Sequence, residues 1–317
     1  VKTRLAKFPF WHEAVLALLL VALLITANTM EPRFMRLGTQ IELSRHLWEI
    51  ALLALPMMLI IITAGIDLSV GSNMAMCAVT LGLLYEAHVP MPLAIGAALL
   101  VGIIGGAING AFIAFLRVHP LIVTLATLSA FRGVAEGVSL ARPISGFPAS
   151  FGLLAQGTFA CLPIPAWMFI AAAIVCSVIL AKTPFGRFLY AIGYNENACR
   201  FTGINVPRIK LLLYTLAGFM SALSAIIFVA RRNTAKADVG TGIELDVIAA
   251  VVLGGVSIFG GRGNIVGMLL GVVLIHETRE FVSWHWNNDE LILVVLGVLL
   301  IASVLLNSLF SRRSRSD

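Results

Sequence analysis

Apolar residues fall into ten long runs with short polar segments between them: roughly residues 12–29, 46–65, 70–86, 92–116, 120–140, 164–181, 211–230, 244–259, 264–281 and 289–309. A helix needs about 20 mostly apolar residues to cross a bilayer. The third, fifth and eighth runs are the weakest, because Gly, Ser or Thr interrupts them. Stretches such as Val15–Ile25 and Leu291–Leu306 lack the alternation of period two that a lipid-facing β-barrel requires. Backbone groups in hydrocarbon must pair within their own segment, so the runs predict helices. The pattern predicts an all-α integral membrane protein of about ten transmembrane helices, some short or broken, in one domain over residues 1–317.

Two polar segments interrupt this pattern. Residues 141–165 contain Pro143, Pro148, Pro163 and Pro165, which exclude a continuous helix and predict a loop with room for one short helix. Residues 182–210 are punctuated by Pro184, Gly186, Gly193, Gly203 and Pro207. Between Asn195 and Thr202 there is space for about two helical turns, with Asn195 or Tyr194 as the cap and Glu196 near the positive end of the helix dipole. A plain connector would be shorter, since helix–helix links usually take about 2–8 residues.

Composition agrees with a membrane setting. Of 317 residues, 59% are hydrophobic and 12% charged, with mean hydropathy +0.98; soluble domains average about 45–50% apolar and about 25% charged. The net charge of +6 forms no basic stripe with interleaved aromatics, so no nucleic-acid partner is expected. With the N-terminus inside, Lys2, Arg4, Lys7, Arg117, Lys182, Arg187, Arg200, Arg208, Lys210, Arg262, Arg312, Arg313 and Arg315 lie on the cytoplasmic side. The outer loops carry fewer basic residues (Arg33, Arg36, Arg45, Arg142, Arg231, Arg232, Lys236 and Arg279), the bias expected of the positive-inside rule. Arg132 falls inside a run. Both termini are expected in the cytoplasm, with 141–165 outside and 182–210 inside. The basic start followed by an apolar run resembles a signal peptide, but no small-residue cleavage site is clear, and an uncleaved first helix is expected. Cys77, Cys161, Cys176 and Cys199 form no C-x-x-C pair and read as small core hydrophobes.

No catalytic constellation emerges. The sequence has no G-x-x-x-x-G-K-[ST] phosphate loop, no H-E-x-x-H and no G-x-S-x-G. His276, Glu277 and Glu280 form either a metal-ligating group or a wet helix end, and the second reading is preferred. Three glycine-rich segments are more informative. In the first, Gly65-Ile-Asp67-Leu-Ser69-Val-Gly71-Ser72, Asp67 is costly in lipid and must face protein or water. It reads as a cap for the next helix ahead of a solute ligand. In the second, Gly102, Gly105 and Gly106 place small residues on adjoining helix faces, for close packing, with Asn109 beside them. In the third, Gly240–Gly263, acids bound a short apolar centre on one side and glycines on the other, predicting a short or broken helix.

Taken together, these segments resemble the sugar branch of bacterial ABC importer permeases, which includes the ribose, rhamnose and autoinducer-2 uptake permeases. The resemblance covers nearly the whole chain, in order: Gly65–Ser72, Asn109-Gly110, His119–Gly133, Thr183–Ile204 and Gly240–Gly255. It implies a second permease subunit (a homodimer or a sister chain), a cytosolic ABC ATPase and a periplasmic solute-binding protein, all around a multi-pass chain in the inner-membrane lipid. ATP and Mg would sit on the partner ATPase, and no cofactor is expected on this chain. Residues 182–210 look like the ATPase-coupling segment, with Arg187, Asn195, Glu196, Asn197, Arg200 and Gly203 as its contact set. Tyr194 and Cys199 depart from the family's usual Gly and Ala or Thr. The segment Arg142–Pro148 is slightly more like the rhamnose and autoinducer-2 permeases than the ribose ones.

The expected function is ATP-driven import of a sugar or sugar-like solute (rhamnose, autoinducer-2 or a pentose) by alternating access. An uncharged solute needs donors, acceptors and some aromatic surface. Asp67, Ser69, Ser72, Asn73, Asn109, Thr124, Thr127 and Phe131 are the candidate pathway residues, although helix packing and back-bonding are the preferred reading for any one of them taken alone. An ion-coupled secondary transporter is the alternative, with Asp67 and Glu136 as its only obvious intramembrane carboxylates. A membrane transferase would need clustered acids at one face, which the sequence lacks.

Overall fold

The computed structural model describes residues 11–286 and, beyond them, 291, 292, 294, 295, 297, 298 and 301. The run at 289–309 lies mostly outside the described residues, as do the basic segments 1–10 and 311–317. The other nine runs coincide with helices. These are α1 (Trp11–Met30), α2 (Leu37–Ile62), α3 (Val70–Glu86), α4 (Met91–Ala114), α5 (Pro120–Ser139), α7 (Ile164–Lys182), α10 (Val206–Arg232), α11 (Ile243–Leu253) and α12 (Ile265–Trp286). Short elements complete the chain: β1 (Ile144–Ser145), α6 (Ala149–Gln156), β2 (Thr158–Phe159), β3 (Leu162–Pro163), α8 (Pro184–Tyr194), α9 (Glu196–Phe201) and β4 (Thr234–Ala235).

Among the described residues, six helices are long and apolar enough to cross a membrane: α1, α2, α4, α5, α7 and α10. The weak fifth run is a full 20-residue helix, α5. The runs at 70–86 and 244–259 give helices of 17 and 11 residues. A length of 11 residues rises about 16 Å, roughly half the hydrocarbon thickness. The helix α12 is long, but Glu277, Arg279 and Glu280 occupy its last turns.

The centre of the fold is α2. Every residue from Glu49 to Ile62 is buried, against α10, α11, α12, α7 and α8. This helix begins nine residues before its apolar run, because Gln40, Glu42, Ser44 and Arg45 continue it past the apolar depth. Arg45 bonds Glu42 one turn away and the carbonyls of Ala155 and Gln156 at the end of α6.

Helices in lipid gain little from apolar contact alone, and they associate through close backbone approach and internal polar bonds. The α4–α10 pair shows the first device. A Cβ added at Gly106 would collide with the Tyr214 carbonyl and stand 2.9 Å from Gly218 N; one at Gly218 would collide with the Gly102 carbonyl. The predicted packing role of Gly102 and Gly106 is therefore met by α10. Gly105 faces Asn73 of α3 instead. The second device is a buried ion pair, Arg231 to Glu49 at 2.9 Å, which ties the end of α10 to α2.

Two ends can be distinguished. At one, α9 lies beside the α4–α5 turn, and His12 and Glu13 at the start of α1 bond Leu253 and Asn264. At the other, Glu86 pairs with Arg142, β1 pairs with β4, and α6 packs on α10. The 20 residues of α5 place the segment 141–165 about 30 Å from the α4–α5 turn. That segment holds the single short helix expected of it, α6.

Between β4 and α11 the chain descends without helix. Near Gly82 of α3 lie Ala235 and Ile144, whereas Gly71, three turns back along α3, faces Gly240 and Glu244. The turn residues 236–242 thus run along α3 into the depth of the bundle, and α11 starts there. This is the short, broken helix that the third glycine-rich segment predicts.

The backbone contacts at Gly106 generate a test. Gly106→Val should destabilise the protein by about 3 kcal/mol or more, through overpacking against backbone, and deplete it from the membrane fraction. Gly96→Val on the same helix, where a Cβ meets nothing within 4 Å, should accumulate like the wild type. Quantitative blotting and thermal unfolding in detergent check both.

Candidate functional site

Two groups of residues matter: a polar network at the α2–α3 break, and the α8–α9 segment. At the break, Ile60 accepts backbone bonds from Thr63 and Gly65, and Ala64 takes a left-handed conformation with φ 59°. The Tyr214 hydroxyl on α10 donates to the Ile66 carbonyl at 3.2 Å. Asp67, 2% exposed, accepts from the Ser69 amide at 2.9 Å and from the Ser69 hydroxyl at 2.7 Å. It therefore braces Ser69, which stands at the N-cap position of α3, and makes no cap bond to the helix itself, a departure from the capping role preferred for it from sequence.

Asn109 of α4 extends this network. Its Nδ2 donates to Ser69 Oγ at 2.7 Å, while its Oδ1 is buried without a partner. Ser72 donates to the Ser69 carbonyl, and Asn73 Nδ2 donates to the Gly102 carbonyl at 3.2 Å. Five of the eight candidate pathway residues thus form one enclosed cluster joining α3 to α4. Thr124, Thr127 and Phe131 sit apart on α5, which packs against α3. Thr124 and Thr127 return their hydroxyls to the carbonyls of Pro120 and Val123 on their own helix.

One residue of consequence is absent from the candidates that sequence reasoning supplies. Arg132 on α5 donates to the carbonyls of Ala237 and, at 2.8 Å, Val239. Irregular backbone at membrane depth must find partners in the protein, and Arg132 supplies them for the descending segment 236–242. A basic residue inside an apolar run is the signal that could have found it. Asp246 and Arg279 form a second such pair, between α11 and α12. His276 is buried rather than wet. Among the described residues, no group of three His, Cys, Asp or Glu side chains is placed to hold a metal ion.

At the α4–α5 end lies the segment 182–210. The Thr183 hydroxyl caps α8 by accepting from the Gly186 amide at 3.3 Å, and Pro184 occupies its first turn. Pro184, Gly186 and Gly193 read as punctuation in the sequence, yet all three lie within this helix. Next comes α9, capped by Asn195, whose Oδ1 accepts from the Ala198 amide at 3.0 Å. Gly203 ends it in the left-handed region at φ 85°. Asn205 then caps α10 through the Arg208 amide.

Glu196 is held on both oxygens, by Arg200 Nη2 at 2.7 Å and by Lys210 Nζ at 2.6 Å. Burial works against its charged form, but the hydrogen bonds and charges of Lys210 and Arg200 outweigh it, and the carboxyl titrates below its ordinary range. The pair therefore braces α9 against α10. What α9 leaves outward is Asn197 and Phe201, the latter 92% exposed, with Arg187 exposed on α8. Arg117, His119, Asn195, Asn197, Arg200 and Lys210 line a cavity of about 400 Å³ between α9 and the α4–α5 turn.

The arrangement is a bundle with a polar seam inside and a capped, braced helix at one end, a form suited to moving a solute. Comparison with known proteins agrees. The family profile described as the branched-chain amino acid transport system permease component matches residues 41–304. The ribose import permease protein RbsC of Bacillus subtilis is 38% identical over 290 residues, covering 91% of this chain and 90% of its own. The autoinducer 2 import system permease protein LsrD of Photorhabdus laumondii is 34% identical over 300 residues, covering 93% and 90%. LsrD of Escherichia coli K12 is 33% identical over 309 residues, covering 96% and 94%. No solved structure matches the chain. In this family the role is ATP-driven import across the inner membrane, ATP is hydrolysed on a partner ATPase, and a periplasmic binding protein is a further partner. The chain belongs to this family of permease components and is a multi-pass subunit of an ATP-driven importer.

Proposed function

We propose that this permease imports an uncharged, hydroxyl-rich solute of about pentose size. The coverage of almost the whole chain by permeases named for ribose and for autoinducer 2 carries that reading. The make-up of the polar seam favours it: Ser69, Ser72, Asn73 and Asn109 carry hydroxyls and amides, the Asp67 carboxyl among them is bonded to Ser69, and Arg132, Glu49 and Asp246 are bonded within the protein. Relatives named for ribose and for autoinducer 2 match over similar lengths and at similar identity, so the solute is proposed as a class. The ion-coupled alternative is set aside by the family's ATP-driven role.

The proposed architecture is about ten spans with both termini in the cytoplasm. The start of α1 shares one end of the bundle with the segment 182–210, which suits both being cytoplasmic; 141–165 lies at the opposite, periplasmic end. Two permease subunits, identical or sisters, would enclose the pathway. The segment 182–210 couples to the ATPase. Asn197, Phe201, Asn195 and Arg187 form its contact face; Glu196 and Arg200 hold α9 in place, with Gly203 releasing the chain into α10. The network of Asp67, Ser69, Ser72, Asn73 and Asn109, with Thr124, Thr127 and Phe131 on α5, borders the pathway. It opens when α3 and α4 separate.

Replacing Glu196 and Arg200 together by alanine should reduce uptake to background and weaken capture of the ATPase, with the subunit still in the membrane. Uptake into proteoliposomes and pull-down of the ATPase measure both; normal uptake would refute the coupling role. Proteoliposomes carrying a hydrolysis-deficient ATPase should not accumulate solute, and accumulation there would refute ATP-driven transport.

The Glu196 brace also sets a pH dependence. Its folded pKa lies below the ordinary 4.5, so its stabilisation is complete above that value and is lost as pH falls through the depressed one. Amide exchange in α9, corrected for intrinsic pH dependence, should stay constant from about pH 8 to about pH 5 and accelerate in more acid solution. Glu196→Gln should abolish the transition.

A further inference from the structure

The segment 182–210 and the break at 63–69 meet through direct backbone contact. Gly193 is the penultimate residue of α8, two positions before the cap of α9. A Cβ there would collide with the Ile62 carbonyl and the Gly261 amide. Those two groups bond each other at 2.9 Å, so a loop amide satisfies a carbonyl at the C-terminus of α2. A Cβ at Gly260, where φ is +81°, would stand 2.9 Å from Ala64 N and 3.0 Å from Gly193 Cα. Three chain segments therefore touch at one point: the end of α8, the end of α2, and the loop 257–263 between α11 and α12.

The junction has little slack. The loop is closed by Ser257 N to the Arg262 carbonyl at 3.0 Å and Gly260 N to the Ser257 carbonyl at 2.8 Å. Tyr190 of α8 donates its hydroxyl to the Gly263 carbonyl at 2.8 Å. The Tyr194 ring lies against Gly261. Side-chain contacts can absorb a displacement by changing rotamer, and backbone in van der Waals contact cannot. From Ile62 the chain reaches Asp67 in five residues, and Asp67 holds Ser69, to which Asn109 is bonded.

We propose that Gly193, with Tyr190, is a positioning residue that passes displacement of α8–α9 directly to the α2–α3 break, so that movement of the ATPase is felt at the Asp67–Ser69–Asn109 network. This rests on the reading of 182–210 as the ATPase-coupling segment. Gly193 touches neither ATPase nor solute in this account; it acts through Ile62 and Gly261.

The test uses the full importer (permease, ATPase and binding protein) in proteoliposomes, with Gly193→Ala and, as the gentler variant, Tyr190→Phe. Solute moved per ATP hydrolysed is measured beside ATPase capture. A Leu68→Cys reporter in the break, with Cys161→Ser to remove the exposed native thiol, reports thiol labelling with and without ATP. The expected result is normal capture and hydrolysis, with solute per ATP reduced about fivefold or more in Gly193→Ala and in the same direction in Tyr190→Phe, and loss of the ATP-dependent change in labelling of the reporter thiol. Unchanged solute per ATP in Tyr190→Phe, or hydrolysis falling in proportion to transport, would overturn the proposal. If Gly193→Ala does not accumulate, Tyr190→Phe decides alone. Failure of the coupling reading itself looks different: the Glu196 and Arg200 double variant would then capture the ATPase normally.

Discussion

A bilayer offers a buried polar group no water, and most of this structure follows from that constraint. At three places where the described chain leaves helical geometry, another part of the protein answers the exposed groups. Gly261 meets the last carbonyl of α2, Tyr214 meets Ile66, and Arg132 meets Ala237 and Val239. Each answer comes from a distant element, so each also fixes tertiary structure. The irregular segments are consequently the places where the bundle is most firmly specified.

The same constraint explains the glycines. With little hydrophobic gain between helices, close approach and dispersion carry the packing. The α4–α10 contact at Gly106 and Gly218 is backbone on backbone, as is the junction at Gly193. Rigid contact at both places means that α4, α10 and α2 must move as bodies when the pathway opens. Side-chain rearrangement alone cannot separate them. Alternating access by relative movement of whole helices is the mode such packing permits, and in the proposed reading α8–α9 drives it.

Much of this was legible in sequence. Apolar runs gave the helices, the interrupted runs at 70–86 and 244–259 gave the short ones, and Asn195 was readable as a cap because its side chain answers an orphan amide one turn on. Hydropathy could not reveal where α2 starts, since Gln40–Arg45 are good helix residues at the polar edge of the apolar depth. It also could not reveal α8, where Gly186 serves close contact with α7 and Gly193 serves close contact with α2 and the loop 257–263, rather than chain breaking. Glu196 was placed on the right helix, yet its partner Lys210 lies 14 residues away and becomes a neighbour only through the turn at Gly203. The pathway candidates divided for a related reason. Asp67, Ser69, Ser72, Asn73 and Asn109 lie on elements that meet, whereas the hydroxyls of Thr124 and Thr127 had acceptors one turn back on their own helix.

The central claim is that α9 stands on the cytoplasmic side, ready to take force from the ATPase, with the polar seam between it and the periplasm. Its most direct test is labelling of an Asn197→Cys variant by a membrane-impermeant thiol reagent in sealed vesicles of both orientations, with Cys161→Ser as background. The account predicts labelling only in inside-out vesicles, and protection when the ATPase is bound. Labelling of the introduced thiol in right-side-out vesicles would contradict it.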